Sequence, residues 1–325
     1  MESKLYTIQE TIQLIEAGKL LALAADEAIL KQLPKGNWIA GTTPYFMDTE
    51  KGVFSKTHIY VNELSTFGNE YSIKVYDEDN IYDIANNAYV NGYTLIIIPP
   101  FQEIHKKYAL EADNIEGLYN NPIIGWVAGS DLSGNQVPKT FNGTISELYI
   151  NKAVAVHIKL PDTKFAEVQI VNIFERDENS DEIQFFEDGF ECDYCIINGK
   201  KTLLSAYLKQ NNIDVKSPLV ADYSGAMINI SIKKVDNEKV SFYAPFFHDR
   251  VYKFAKKIND YVCEFEKNIP KLEVQSEFSC NCILNYLYGN LENKKIKSTS
   301  GPITFGEIAY KLLNQTLIHL IISDK

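Results

Sequence analysis

No stretch of this 325-residue chain approaches the ~18 consecutive apolar residues that a membrane-spanning helix needs. The longest early apolar run, 20–25, gives way at once to Asp26 and Glu27. The opening Met1-Glu2-Ser3-Lys4 lacks the basic and apolar regions of a secretory signal, so the expectation is a cytoplasmic protein. Basic charge is also short: 32 Lys and Arg stand against 43 Asp and Glu, a net charge of -11. Nucleic acid and anionic membrane both repel such a chain, and neither is expected as a partner. The short basic run Lys294-Lys295-Ile296-Lys297 reads as a solvated loop. Cysteine is sparse and odd in number, five in all, which fits a reducing compartment better than a disulfide framework. The common catalytic signatures are missing as well. There is no G-x-S-x-G elbow and no H-E-x-x-H pair. Gly125-Trp126-Val127-Ala128-Gly129 lacks the Lys-Ser/Thr ending of a phosphate loop. Low-complexity tracts and short repeats are likewise absent.

What remains is an ordinary globular composition, 45% hydrophobic and 23% charged. Ile8, Ile12 and Ile15 recur at helical spacing behind a capping Thr7, with Gly18 as a stop. Residues 20–24 and 38–43 read as buried strands. Asp26 is placed to cap a short helix that ends before Pro34. Thr94 to Ile98 is the clearest buried strand, and Pro99-Pro100 closes it. Helices are expected over 80–91, 101–113, 201–210 and 249–266, and further strands over 53–64, 71–75, 154–160, 166–174, 193–197, 227–233 and 240–243. The fold class is therefore α/β, a mixed α+β arrangement with helices flanking mixed sheets and a strand-rich second half. The acidic run Asp177 to Glu182 lies between two strand-rich regions and suggests a division into 1–175 and 176–325; a hairpin tip explains that run equally well.

Few residues suggest chemistry. Cys192 and Cys195 form a C-x-x-C pair, and Cys280 and Cys282 a C-x-C pair. Four thiolates suit zinc, but strand-like surroundings turn the first pair to opposite faces, and buried thiols are the plainer reading. His157 sits mid-strand as a satisfied sheet histidine. A nucleophile–base arrangement is conceivable between Cys280 and His319, oriented by Glu307. Small residues, hydroxyls and backbone amides gather at two strand ends, Ala40-Gly41-Thr42-Thr43 and Gly125 to Asp131. Such glycines serve close approach, either to a ligand or to another part of the protein.

Several of these pieces recur in order along a known family. They are Ile39-Ala40-Gly41-Thr42-Thr43, Pro122 to Gly129, Phe141-Asn142-Gly143 before 153–156, Phe278-Ser279-Cys280, Gly306-Glu307-Ile308 and Asn314-Gln315-Thr316. Together they span most of 20–322, and on them the chain resembles the FIST family, the F-box and intracellular signal transduction proteins, in a stand-alone bacterial form. Trp126 replaces a usual second glycine, Cys282-Ile283 stand where an arginine is frequent, and Leu313 replaces a histidine. The resemblance implies two FIST-like halves packed as one unit and a sensory domain for small ligands such as amino acids. Some relatives bind haem and sense nitric oxide. The expected function is a cytoplasmic small-molecule sensor without an attached output domain, signalling through a separate protein. The expected ligand site comprises Gly41, Thr42, Thr43, Gly125, Gly129, Asp131, Cys280, Glu307 and His319, with threonine hydroxyls and amides on a carboxylate and Glu307 on an amine. No cofactor is expected. The alternatives are an enzyme built on Cys280, His319 and Glu307, a haem-binding gas sensor, and an interaction protein without a ligand.

Overall fold

Three six-stranded sheets meet on one apolar centre. They are seen in a computed structural model that describes residues 4–65, 70–223, 225–269, 276–296 and 299–325. Met1-Glu2-Ser3 of the opening segment and Lys297 of the basic run lie outside the described residues.

The first sheet runs Leu5–Tyr6, Ile59–Glu63, Leu21–Ala25, Trp38–Thr42, Thr140–Asn142 and Glu147–Tyr149 in spatial order. Its inner pair, Leu21–Ala25 and Trp38–Thr42, is parallel, and the connecting helix Glu27–Leu30 covers one face. Helix Ile8–Glu16 covers the same face. It starts in a full capping box, in which Thr7 and Glu10 satisfy each other's backbone amides. Ile15, Leu21, Leu23, Trp38 and Phe141 form the core beneath these helices.

The second sheet runs Lys311–Leu313, Glu307–Ala309, Ile123–Val127, Gly92–Ile98, Ala153–Lys159 and Tyr71–Tyr76. Both of its faces are buried, which accounts for the unbroken apolar run at 95–98. One face, with Leu95, Ile97, Trp126 and Val156, packs on the first and third sheets. The other, with Ile96, Ile98 and Val127, packs on helix Glu103–Glu111 and an inserted lobe. The third sheet runs Lys164–Val171, Leu317–Asp324, Phe278–Cys282, Gly301–Thr304, Tyr45–Met47 and Gly52–Phe54.

The inserted lobe is strand-rich, as the sequence pattern predicts for the second half. It contains the sheet Lys200–Leu203, Tyr194–Ile197, Ile183–Gln184, Tyr252–Phe254, Leu219–Tyr223 and Ala226–Ile230, with the three strands Gly189–Cys192, Val240–Phe246 and Ile232–Val235 beside it. The single helix expected over 249–266 is corrected here. Tyr252 and Phe254 enter the lobe's sheet as alternating buried residues, and the helix starts only at Tyr261, where Asp260 caps it. The apolar spacing satisfied both periods, and burial of Tyr252 decided for the strand. Likewise only Ile81–Ile84 of 80–91 is helical, as one 3-10 turn.

Division at residue 175 does not separate two sheets. Glu307–Ala309 pairs with Ile123–Val127 and Gly301 with Met47, so strands late in sequence complete sheets begun in the first half. Among the described residues no helix is long and apolar enough to cross a membrane.

Candidate functional site

Thr42, Thr43 and Gly129 come together just past the carboxyl ends of Trp38–Thr42 and Ile123–Val127, each the second strand of a parallel pair, the edge where open α/β sheets commonly place ligands. Their polar atoms are already engaged. Thr42 Oγ1 donates to the Gly129 carbonyl at 2.7 Å and accepts from the Lys139 amide at 2.9 Å. Thr43 Oγ1 donates to the Ile303 carbonyl at 2.7 Å. The slit left between Asp26, Thr42, Thr43, Gly129 and Val137 encloses about 10 Å³, the space of a single water. The glycines serve protein rather than ligand. A Cβ at Gly41 would stand 2.6 Å from Ile97 and 2.8 Å from the Trp126 indole nitrogen, one at Gly129 would stand 2.9 Å from the Phe305 ring, and one at Gly125 would overlap the Ile96 carbonyl at 1.8 Å. Asp131 pairs with Lys56 at 2.6 Å and accepts from Ser133, and Lys56 above all holds its carboxyl down at about 2.

The carboxy-terminal residues are equally enclosed. Glu307 is fully buried, accepting from the Thr316 amide at 3.2 Å, the Thr316 hydroxyl at 2.8 Å and the Thr304 hydroxyl at 3.2 Å. Burial pushes its carboxyl up to about 8. Cys280 donates to the Gly125 carbonyl at 3.6 Å, and burial raises its thiol well above the usual value, opposing thiolate formation. In register, Cys280 faces Ile318 while His319 faces Ser279. Side chains of a strand alternate between faces, so Cys280 and His319 leave the third sheet on opposite sides. The nucleophile–base pair considered from the sequence is not assembled. His319 is fully buried with neither ring nitrogen bonded, and burial lowers it to about 4. Both strand ends thus meet the 303–305 segment, Thr43 at Ile303 and Gly129 at Phe305, by direct packing.

The cysteine pairs are free thiols. Cys192 and Cys195 lie in strands of different sheets. His157 is bonded on both nitrogens, to Tyr76 and Thr94 at 2.8 Å each. Among the described residues no group of three or more His, Cys, Asp or Glu side chains could hold a metal.

A cleft of about 650 Å³ opens elsewhere, where three parts of the chain converge. The first half supplies Asp113 and Tyr119, the inserted lobe Tyr223, Met227, Ile228 and Arg250 among others, and the final hairpin Ala309, Tyr310, Lys311 and Leu313; Ile170 and Asn172 complete the wall. The hairpin is tight: Ala309 pairs directly with Lys311, leaving Tyr310 alone at the tip with φ 62°. That left-handed backbone is strained for a residue with a Cβ. It is held because the Tyr310 amide donates to Ile123 at 2.8 Å and its carbonyl accepts from the Tyr108 hydroxyl at 2.6 Å. Its ring lies 5.4 Å from that of Tyr119. Lys311 pairs with Asp113, which also accepts from the Tyr119 hydroxyl at 2.6 Å. Burial pushes the Asp113 carboxyl up, but Lys311 and Tyr119 outweigh it and hold it below its ordinary value. Arg250 and Lys311 stand 4.9 and 5.3 Å from the centre of the Tyr223 ring. Among the described residues no histidine lines this cleft.

A family model described as a family of unknown function, DUF6976, matches residues 6–323. The chain belongs to that family. No curated protein and no solved structure matches it. The DUF6976 description carries no activity or ligand, and the match spans the first half, the inserted lobe and the final strands alike. The cleft of this DUF6976 protein escaped sequence reasoning because its walls come from segments more than fifty residues apart, such as Asn172, Tyr223 and Tyr310. One local cue existed. Ser224-Gly225 between strand-like residues is a two-residue hairpin signal in the sequence, and Tyr223, which pairs with Ala226, and Gly225 both line the cleft.

Proposed function

We propose that the chain is a small-molecule-binding protein of the sensory kind, with its ligand in the cleft between Tyr119, Tyr223, Arg250 and Tyr310. The observation that carries this reading is the cleft itself. Its 650 Å³ lies within the range of small-molecule sites, and it combines apolar walls with a few polar groups. The second sheet, with its hairpin and following segment, and the inserted lobe both contribute to it, so a bound ligand would link their relative positions. Differential affinity for two such arrangements is what a sensor requires. The FIST-like motifs point toward the same class of function, and a separate signalling partner belongs to the same proposal.

The test is native mass spectrometry of the purified protein, paired with a Met227→Trp variant that fills the cleft. A retained small molecule lost from the variant, with thermal stabilisation by that molecule only in the parent, is the expected result. A ligand that binds the variant undiminished would place the site elsewhere and end this reading.

A further inference from the structure

The charged groups of the cleft are not equivalent. Lys311 is paired with Asp113, and Asp113 is further held by Tyr119. Asn172 is engaged too, its amide donating to the Met227 carbonyl at 3.0 Å and the Asn229 side chain at 2.9 Å. Arg250 differs. The Asp249 carboxylate comes within 3.4 Å of its Nε, yet that buried Nε makes no hydrogen bond. The Asp249 side chain is 56% exposed and able to turn out to water. A guanidinium has five donors in a planar fork that matches a carboxylate, and here the fork has one loosely placed acid and no hydrogen-bonded acceptor among the described residues. The surroundings suit a flat apolar body. Tyr119, Tyr223 and Tyr310 offer ring faces or edges, and Ile170 and Met227 stand 44% and 41% exposed at the same wall. Large apolar side chains left open beside a guanidinium whose Nε has no hydrogen-bonded acceptor are the two halves of an amphiphilic site.

On the reading that this cleft is the ligand site, we infer that it takes a small aromatic or heteroaromatic carboxylate. The carboxylate sits on the Arg250 fork, displacing Asp249 toward solvent, and the ring lies among Tyr119, Tyr223 and Tyr310 against Met227. Among the described residues the buried Arg250 Nε lacks a hydrogen-bonded acceptor, whereas Lys311 already has Asp113, and one such fork suits a monoanion better than a phosphate dianion.

Isothermal titration calorimetry of the full chain with phenylacetate, indole-3-acetate, phenylacetamide, cyclohexylacetate and phenyl phosphate tests this. The aromatic acids are expected to bind at least about tenfold more tightly than the amide, as loss of a charge-assisted hydrogen bond implies, and more tightly than the saturated acid and the phosphate. Arg250→Ala should remove that preference for acid over amide, Arg250→Lys should restore part of it, and Met227→Trp should abolish all binding. Arg250→Gln serves if the alanine variant does not fold by circular dichroism. Equal binding of acid and amide, an unchanged preference in the Arg250 variants, tighter phenyl phosphate, or no binding of either aromatic acid would overturn the inference. Those results leave the cleft reading standing wherever Met227→Trp still blocks the molecule that does bind. Acids that bind Met227→Trp as they bind the parent would overturn the cleft reading itself.

Discussion

At the scale of single residues, two side chains combine strain or burial with an assignable measurement. Tyr310 holds a left-handed backbone at the tip of the final hairpin. Tyr310→Gly and Tyr310→Ala both delete the ring, but only alanine keeps a Cβ in that conformation. The glycine variant should be the more stable of the two by about 1 kcal/mol in urea unfolding, and both should lose affinity for any aromatic ligand of the cleft. Glu307 makes a pH prediction. Its folded carboxyl titrates at about 8 against an ordinary value of 4.5. The folded state therefore holds the extra proton between those values, and its contribution to stability is full below 4.5 and lost as the pH rises toward 8. Unfolding free energy should fall with a slope of at most about 1.4 kcal/mol per pH unit across that window, and Glu307→Gln should flatten the slope. An unchanged slope in the variant would assign the pH dependence to other groups. Capping residues such as Thr7 and Asp26 were legible in the sequence because their partners lie within three residues. The missing hydrogen-bond partner of the Arg250 Nε was not, since it depends on what the rest of the fold places beside it.

Among the elements, the parallel pair Gly92–Ile98 and Ile123–Val127 is the most constrained. Gly125 lies where a Cβ would overlap the Ile96 backbone, whereas one at Gly134 would meet nothing closer than 3.6 Å. Backbone cannot move aside as a flexible side chain does. Gly125→Ala should lower stability by about 1–3 kcal/mol or more, and Gly134→Ala should change it little; denaturant midpoints for the two decide the matter. The Ala40-Gly41-Thr42-Thr43 and Gly125-Trp126-Val127-Ala128-Gly129 stretches announced close approach plainly enough. Their sequence left open whether a ligand or the protein does the approaching, because the apposed atoms of Ile97, Phe305 and Ile96 arrive from other elements. The strand at 94–98 was legible from its unbroken apolar run, whereas the equally buried Phe278–Cys282 and Gly301–Thr304, mixed with polar residues, carried no such run. Strand positions were ambiguous at 249–266, where one apolar pattern suited two periods.

For the whole molecule, order along the chain and order in space diverge. The fragment 1–175 would lack Phe278, Cys280, Ile318 and Leu320 from the central core, and Ile123–Val127 would lose its antiparallel neighbour. Expressed alone it should fail to give a dispersed amide spectrum by NMR and should associate through the bared edge; a folded monomer of that length would contradict the interlocked sheets. The chain's two tryptophans, both 1% exposed, fall on different sides of this assembly. Trp38 is tied to the Pro34 carbonyl beneath the amino-terminal helices, while Trp126 stacks on Phe278 at 5.3 Å. In a Trp38→Phe background, indole emission during stopped-flow refolding becomes a clock for the moment the carboxy-terminal strands close on the middle sheet, and the reciprocal Trp126→Phe protein times the first layer separately.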